Sequence, residues 1–329
     1  MPSAPAKIAQ IIRRKKTFLL TTHERPDGDA LGSALALQHA LRDLGKQAEV
    51  VAGGEVPPHY RFLPGIEGVR KEAAGLSGGS YDPPEVLVVL DCDGPERMAV
   101  SREVAAAAHI VVDIDHHTGD QPFGDVQWVD PSAAAVGEQV YRLLRHMKVA
   151  VTPAMATCLY CAIATDTGFF RFRNTTAAAL AICAQLAEAG ADPHEIALRA
   201  HDQKPLSSVA LLGRALQSAQ ALEDGRILWA ALGPEDFAAA HAGANETEGI
   251  VERLQSVEGA QAAALLRDEG QGQVRVSLRS GDDLDVAAVA RKFGGGGHAS
   301  AAGCTIVGDL RTASELVLGA LQALLKPAT

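Results

Sequence analysis

The sequence predicts an α/β protein in which a mostly parallel sheet, with helices on both faces, forms an N-terminal domain. A helical connector then leads to a smaller α/β domain. Three observations carry this expectation. Short valine-rich segments alternate with stretches of helical period through the first half of the chain. Acids and histidines recur in four clusters, each directly after an apolar segment. Finally, 329 residues are too many for one ordinary core and comfortable for two domains.

Taken in order, residues 17–22 form the first strand candidate. From residue 30 to 44 the apolar positions 31, 34, 35, 37, 41 and 44 draw one helical stripe, which Gly45 ends. Residues 48–52, 85–90 and 109–114 are further short strands, and 153–165 is helical. Helices are also expected at 175–190, 192–201 and 206–222, so the domain boundaries fall at 1–190, 191–224 for the connector, and 225–329. The last part reads strand 227–232, helix 234–240, strands 260–267 and 273–279, helix 284–293, a glycine run, strand 304–307 and helix 312–325.

The clusters are His23-Glu24-Arg25-Pro26-Asp27-Gly28-Asp29, Asp91-Cys92-Asp93, Asp115-His116-His117 and Asp166-Thr167-Gly168. Three begin just after a strand, where open α/β sheets hold their ligands, and the fourth closes a helix. Pro26 disfavours helix at Arg25 and Gly28 permits a tight turn, so Asp27 and Asp29 can converge. A simpler account makes Asp29 the N-cap of the following helix. In the second cluster Asp91 and Asp93 compete as the ligand, and either could be a turn residue. Adjacent His116 and His117 have no packing purpose, whereas one can ligate a metal while the other handles a proton. Asp166, at a helix C-terminus, opposes the negative end of the helix dipole and calls for a cation. A donor set of oxygen and imidazole without thiolate suits manganese, with magnesium or cobalt as alternatives, better than a structural zinc.

Two later features are candidates for substrate binding. Gly294-Gly295-Gly296-Gly297-His298 can form a nest of backbone N–H groups for an anion, or merely a flexible connection. Arg279 and Ser280 end a strand, and the guanidinium can meet a phosphate or a base. The stretch from Phe169 to Arg173 alternates as a strand does, its aromatics facing the core or a nucleobase.

Composition excludes several classes. A hydrophobic fraction of 47% with 21% charged residues is that of a folded soluble chain, not a disordered one. No apolar run reaches the roughly 20 residues that span a bilayer, and no secretory signal is visible, so a cytoplasmic protein without a membrane partner is expected. Five scattered cysteines in apolar surroundings read as reduced core thiols, Cys158 and Cys161 included. A net charge of −10 argues against coating long nucleic acid, although bound divalent cations would reverse the field inside a site.

The motif His23-x-x-Pro26-Asp27-x-Asp29-Ala30, the strand-terminal Asp91, Asp115-His116-His117 and Asp166-Thr167-Gly168 together resemble the DHH phosphoesterase superfamily. Arg279-Ser280 and the segment from Gly294 through His298 to Gly303 are similar to its associated C-terminal domain. Asp166-Thr-Gly-Phe-Phe-Arg-Phe172 and Thr247-Glu248-Gly249 resemble the branch of nanoRNases and phosphoadenosine-phosphate phosphatases. The resemblance implies two divalent cations, manganese first. His23, Asp27 and Asp91 would hold one; Asp29, Asp91, His116 and Asp166 would hold the other, Asp91 bridging. His117 would transfer a proton, Asp115 would orient the site, and Arg279, Ser280, Gly295, Gly296 and His298 would bind the substrate's phosphate or terminal nucleotide. Cys92-Asp93 departs from the family pattern and leaves the role of Asp93 open. The implied activity is hydrolysis of short oligoribonucleotides to 5′-mononucleotides, with dephosphorylation of 3′-phosphoadenosine 5′-phosphate, by a homodimer. Alternatives within the resemblance are a phosphodiesterase for cyclic or linear diadenylate, a pyrophosphatase and a processive exonuclease; outside it stands a catalytically silent nucleotide sensor.

Overall fold

The computed structural model describes residues 3–71, 83–117, 123–281 and 284–325, with the backbone alone for His298. The chain divides into two compact units, Met1–Gln203 and Lys204–Thr329. Residues 191–203, expected in a connector, therefore group with the first unit and 204–224 with the second.

The first unit runs α1 (Ala4–Arg14), β1 (Thr17–Thr21), α2 (Gly28–Asp43), β2 (Gln47–Val51), β3 (Val86–Leu90), α3 (Arg102–Ala107), β4 (Ile110–Asp115), β5 (Val126–Val129), α4 (Val136–Met147), α5 (Pro153–Asp166), α6 (Ala177–Glu188) and α7 (Pro193–Ala197). A π-helical turn, Leu198–Asp202, follows α7. The five strands form one all-parallel sheet in the order β2-β1-β3-β4-β5, as the valine-rich, two-sided burial of β3 requires. Alternation along the strands splits the core in two. Phe18, Leu20, Val88, Leu90, Val112 and Ile114 face the layer of α1, α2, α4 and α5. Leu19, Val51, Leu87 and Val89 face a smaller cluster beside α3. Helices thus cover both faces of the sheet.

Close helix crossings bring the carboxylates inward. A Cβ on Gly32 of α2 would lie 2.4 Å from the Cys158 carbonyl oxygen of α5, and one on Gly137 of α4 would lie 2.6 Å from the Ala162 methyl. Only glycine lets the three helix backbones approach this closely.

The second unit runs α8 (Leu206–Gln217), β6 (Gln220–Leu222), β7 (Ile227–Leu232), α9 (Pro234–Ala240), α10 (Ile250–Gln255), β8 (Ala262–Asp268), β9 (Gln273–Ser280), α11 (Val286–Lys292), β10 (Gly296–His298), β11 (Ala301–Val307) and α12 (Leu310–Gln322). Its mixed sheet has the order β10-β11-β9-β8-β7-β6, with only β7 and β8 parallel. Along β8, Ala262, Ala264 and Leu266 face α11 and α12, while Ala263 and Leu265 face α8 and α10.

Two expectations are corrected. Residues 169–173 are not a strand: Gly168, Phe169 and Phe170 are consecutive left-handed residues, with φ of 56°, 55° and 64°. The helix expected across 206–222 stops at Gln217, and Gln220–Leu222 pairs antiparallel with β7. Among the described residues no helix is long and apolar enough to cross a membrane, and all five cysteines are free and buried.

Candidate active site

The first cluster follows β1. Asp27 is the N-cap of α2, its Oδ1 accepting the backbone N–H groups of Asp29 and Ala30 at 3.0 Å each. Capping of α2, offered above as the simpler role of Asp29, thus belongs to Asp27. Asp29 lies in the first turn of α2 and is buried. Its carboxylate accepts the Ser33 hydroxyl at 2.9 Å and reaches the start of α4, taking the N–H of Val136 at 2.7 Å and of Gly137 at 2.9 Å.

Asp91 leaves β3 in the left-handed conformation, φ 57°, unusual for a residue with a side chain. This turn sends a buried carboxylate among the histidines: Oδ2 is 3.7 Å from His23 Nε2 and Oδ1 is 3.7 Å from His116 Nε2. Asp93, its competitor in the sequence, pairs instead with Arg97 at 2.8 Å on the surface.

At the end of β4, Asp115 Oδ1 accepts the backbone N–H of His116 at 2.7 Å and faces His117 Nδ1 at 2.8 Å. His116 Nδ1 is held by the Ala133 carbonyl at 3.2 Å, which aims Nε2 toward Asp91 and toward Asp166 Oδ2, 3.6 Å away. The side-chain amide of Asn174 fixes Asp166, meeting its carbonyl at 3.1 Å and Oδ2 at 3.4 Å, together with the Ala134 carbonyl at 3.0 Å.

Three overlapping groups have donor atoms within 4.8 Å of one another: His23, Asp27 and Asp91; Asp29, His116 and Asp166; and Asp91, His116 and His117. The imidazole-to-carboxylate separations of 3.6–3.7 Å are too long for hydrogen bonds and suit donors arranged around a cation. Asp91 Oδ1, His116 Nε2 and His23 Nδ1 are buried without a hydrogen-bond partner. Such orphaned atoms are costly unless a ligand satisfies them. The residues therefore fit divalent metal.

The electrostatics agree. Burial, followed by the neighbouring acids, pushes Asp91 well above the usual carboxylate range and Asp166 up to about 8. Burial lifts Asp29 to about 6 against the opposing pull of His116. Burial also lowers His23. The exception is the Asp115–His117 pair. Burial works against both charges, but their hydrogen bond and mutual attraction prevail, holding Asp115 below its ordinary value and His117 above.

In the second unit Arg279 makes an ion pair with Glu252 at 2.7 Å. Ser280 is buried and its hydroxyl donates to the Leu284 carbonyl at 2.7 Å. The glycine run is structured. Gly294 and Gly295 donate to the Arg291 and Ala290 carbonyls at the end of α11, and Gly296–His298 pairs antiparallel with β11. A Cβ on Gly295 would sit 2.2 Å from the Gly303 carbonyl oxygen. The side chain of His298 lies outside the described residues.

Among the features that bear on the site, sequence reasoning missed α4 and Asn174. The first was legible, since apolar residues recur at 136, 140, 143, 144 and 147. The second left no local signal, because its partners are eight and forty residues away.

A doubly covered parallel sheet with acids and histidines at its strand exits, followed by a mixed-sheet unit, defines the class. The DHH family N-terminal domain matches residues 17–163 and the DHHA1 domain matches residues 236–326. The chain belongs to the DHH family. It is 38% identical over 319 residues, 96% of this chain and 92% of the relative, to the bifunctional oligoribonuclease and PAP phosphatase NrnA of Thermus thermophilus. The Bacillus subtilis protein of the same name is 30% identical over 293 residues, 88% of this chain and 89% of that one. In fold the chain is similar to an exopolyphosphatase-related protein from Bacteroides fragilis, with a TM-score of 0.92 at 24% identity, covering 97% of this chain and 96% of that one.

Proposed function

We propose that this chain is a metal-dependent phosphoesterase that releases 5′-mononucleotides from short oligoribonucleotides and dephosphorylates 3′-phosphoadenosine 5′-phosphate. The observation that carries the reading is the convergence of all four clusters on the orphaned atoms of Asp91 and His116, in a chain 38% identical to an oligoribonuclease and PAP phosphatase over nearly its whole length. Two divalent cations, manganese by the oxygen and imidazole donor set, would supply Lewis acidity and an activated water.

The remaining work falls to the protein. His23, Asp27 and Asp91 would hold one ion; Asp29, Asp91, His116 and Asp166 would hold the other. Asp91 would serve both groups, its Oδ2 facing His23 and its Oδ1 facing His116. His117, whose protonated form Asp115 favours, would give its proton to the leaving oxygen. Arg279 exchanges Glu252 for a substrate phosphate. Ser280, Gly295, Gly296 and His298 shape the strand ends around that phosphate. The active form is a homodimer in the cytoplasm, where the five free thiols stay reduced.

The test is turnover, with added manganese, of RNA from two to about 24 nucleotides, of 3′-phosphoadenosine 5′-phosphate, of linear and cyclic diadenylate and of pyrophosphate. Asp91→Ala serves as the blank. Rates that fall steeply with RNA length support the reading. Preference for cyclic diadenylate, pyrophosphate or long RNA reassigns the substrate, and no metal-dependent turnover of any of them overturns it.

A further inference from the structure

The segment after Asp166 spends conformational energy without burying everything it carries. Left-handed backbone is unfavourable for a residue that carries a side chain, and Phe169 and Phe170 both adopt it behind Gly168. Two of the three phenylalanines gain packing in return. Phe169 stacks on His201 with ring centroids 4.9 Å apart, and Phe170 meets Tyr160 edge-on. Phe172 does not: it is 53% exposed, and among the large apolar side chains exposed in the described residues it is the one aromatic.

The backbone that carries its ring is nevertheless held in place. The N–H groups of Arg171 and Phe172 both donate to the Thr167 carbonyl at 3.0 Å, and the Phe172 carbonyl accepts the N–H of Thr175 at 3.1 Å. The far edge of the ring rests on Gly168, where a Cβ would come within 2.5 Å of Cζ. Gly168 is thus required both for its positive φ and for the room it leaves to the ring. Arg171 Nε donates to the Gly168 carbonyl, and exposed Arg171 and Arg173 flank the phenylalanine in sequence. Two residues further on, Asn174 clasps the carboxylate of Asp166. The ring and a carboxylate of the metal-fitting cluster therefore belong to one braced turn.

We propose that Phe172 is a nucleobase-stacking platform, taking the base of a nucleotide that flanks the phosphate under attack, with the two arginines drawing the polyanion toward it. A flat, preplaced apolar ring matches what every base offers, a π-face, and so selects for nucleotides without selecting among them. The inference rests on the phosphoesterase reading above and adds to it a specificity-determining residue in the first unit.

The experiment compares wild type, Phe172→Leu and Phe172→Trp on diadenylate and on an isosteric dinucleotide lacking one base, with manganese. Stacking on an aromatic is worth about 1–3 kcal/mol per base, roughly 5- to 150-fold in affinity. Phe172→Leu should raise KM for diadenylate within that range with kcat nearly unchanged, leave the abasic substrate unaffected, and be rescued by Phe172→Trp. Equal effects of Phe172→Leu on both substrates, or none on either, overturn the platform. So does a change of oligomeric state in Phe172→Leu on size-exclusion chromatography, which would make the ring a contact between copies. A wild type inert on diadenylate removes the functional reading and the platform together; an active wild type with an indifferent Phe172→Leu removes the platform alone.

Discussion

Asp29 accepts the backbone N–H of Gly137 at 2.9 Å, so a carboxylate in the first turn of α2 closes the N-terminus of α4 from 108 residues away. The same carboxylate sits within the metal-fitting group of His116 and Asp166. One side chain therefore braces two helices and faces the site.

That double duty sets opposing terms for Asp29→Ala. Hydrogen bonds to a neutral acceptor are worth about 0.5–1.5 kcal/mol each, and the Asp29 carboxyl accepts from Ser33, Val136 and Gly137. Burial, however, has raised the carboxyl to about 6, so above that pH the wild type carries the cost of a buried charge. Urea unfolding of the metal-free protein should show Asp29→Ala destabilised by about 2–4 kcal/mol at pH 5, and by less at pH 8. A larger loss at pH 8 would contradict this assignment of the charge cost.

The acids of the site make stability depend on pH and metal in opposite directions. Asp91 and Asp166 titrate above their ordinary value of 3.8, Asp166 at about 8, so the folded protein holds protons that the unfolded chain has released. Stability of the metal-free form is then greatest below the unfolded value and is lost as pH rises toward about 8. Manganese binds the ionised ligands, so its stabilisation should grow over the same range. Melting curves with chelator and with manganese, from pH 5 to 8.5, test both slopes. Asp91→Asn, which tolerates the left-handed backbone, should raise the metal-free Tm at pH 8 and abolish most of the manganese-induced rise.

Asp113 makes a separate case on the opposite side of β4 from the main core. It is buried, its Oδ1 has no partner, and burial, followed by Asp115, lifts it to about 7. The stability that its protonated form lends is full below the ordinary value of 3.8 and is lost as pH rises to about 7. Asp113→Asn should therefore raise Tm at pH 8.5 by several degrees more than at pH 5.5. Equal shifts at the two pH values would show that the charge carries no cost.

Asn174 is a positioning residue for Asp166. Outer partners of metal ligands typically contribute about 10- to 100-fold to affinity. Calorimetric titration of manganese into Asn174→Ala should show a loss in that range, and Asn174→Gln should recover little of it because the longer chain displaces the amide. Unchanged affinity would leave Asn174 as a brace between the α5 terminus and Ala134.

The strand exits, and the acids and histidines gathered at them, could be read from the chain. Val86–Leu90 is buried on both sides only if its sheet is covered twice, and the acid after it must then emerge at the sheet's carboxyl edge. The four clusters that hold His23, Asp27, Asp91, His116 and Asp166 were legible for that reason, since apolar period and cluster position are local properties, whereas the choice of Asp91 over Asp93 was left open. Tertiary structure decided what depends on long-range partners. It set Asp29 at the N-terminus of α4 and tied Asn174 to Ala134 beside Asp166, while the capping of α2 by Asp27 and the pairing of Asp93 with Arg97 are local choices the sequence left open. It also coiled residues 168–170 into left-handed backbone where alternating aromatics promised a strand, and there Phe169 stacks on His201 and Phe170 meets Tyr160. Contacts such as Phe169 on His201 and the Gly137 N–H on Asp29, 108 residues away, leave no periodic trace in the chain, so only the folded packing could assign them.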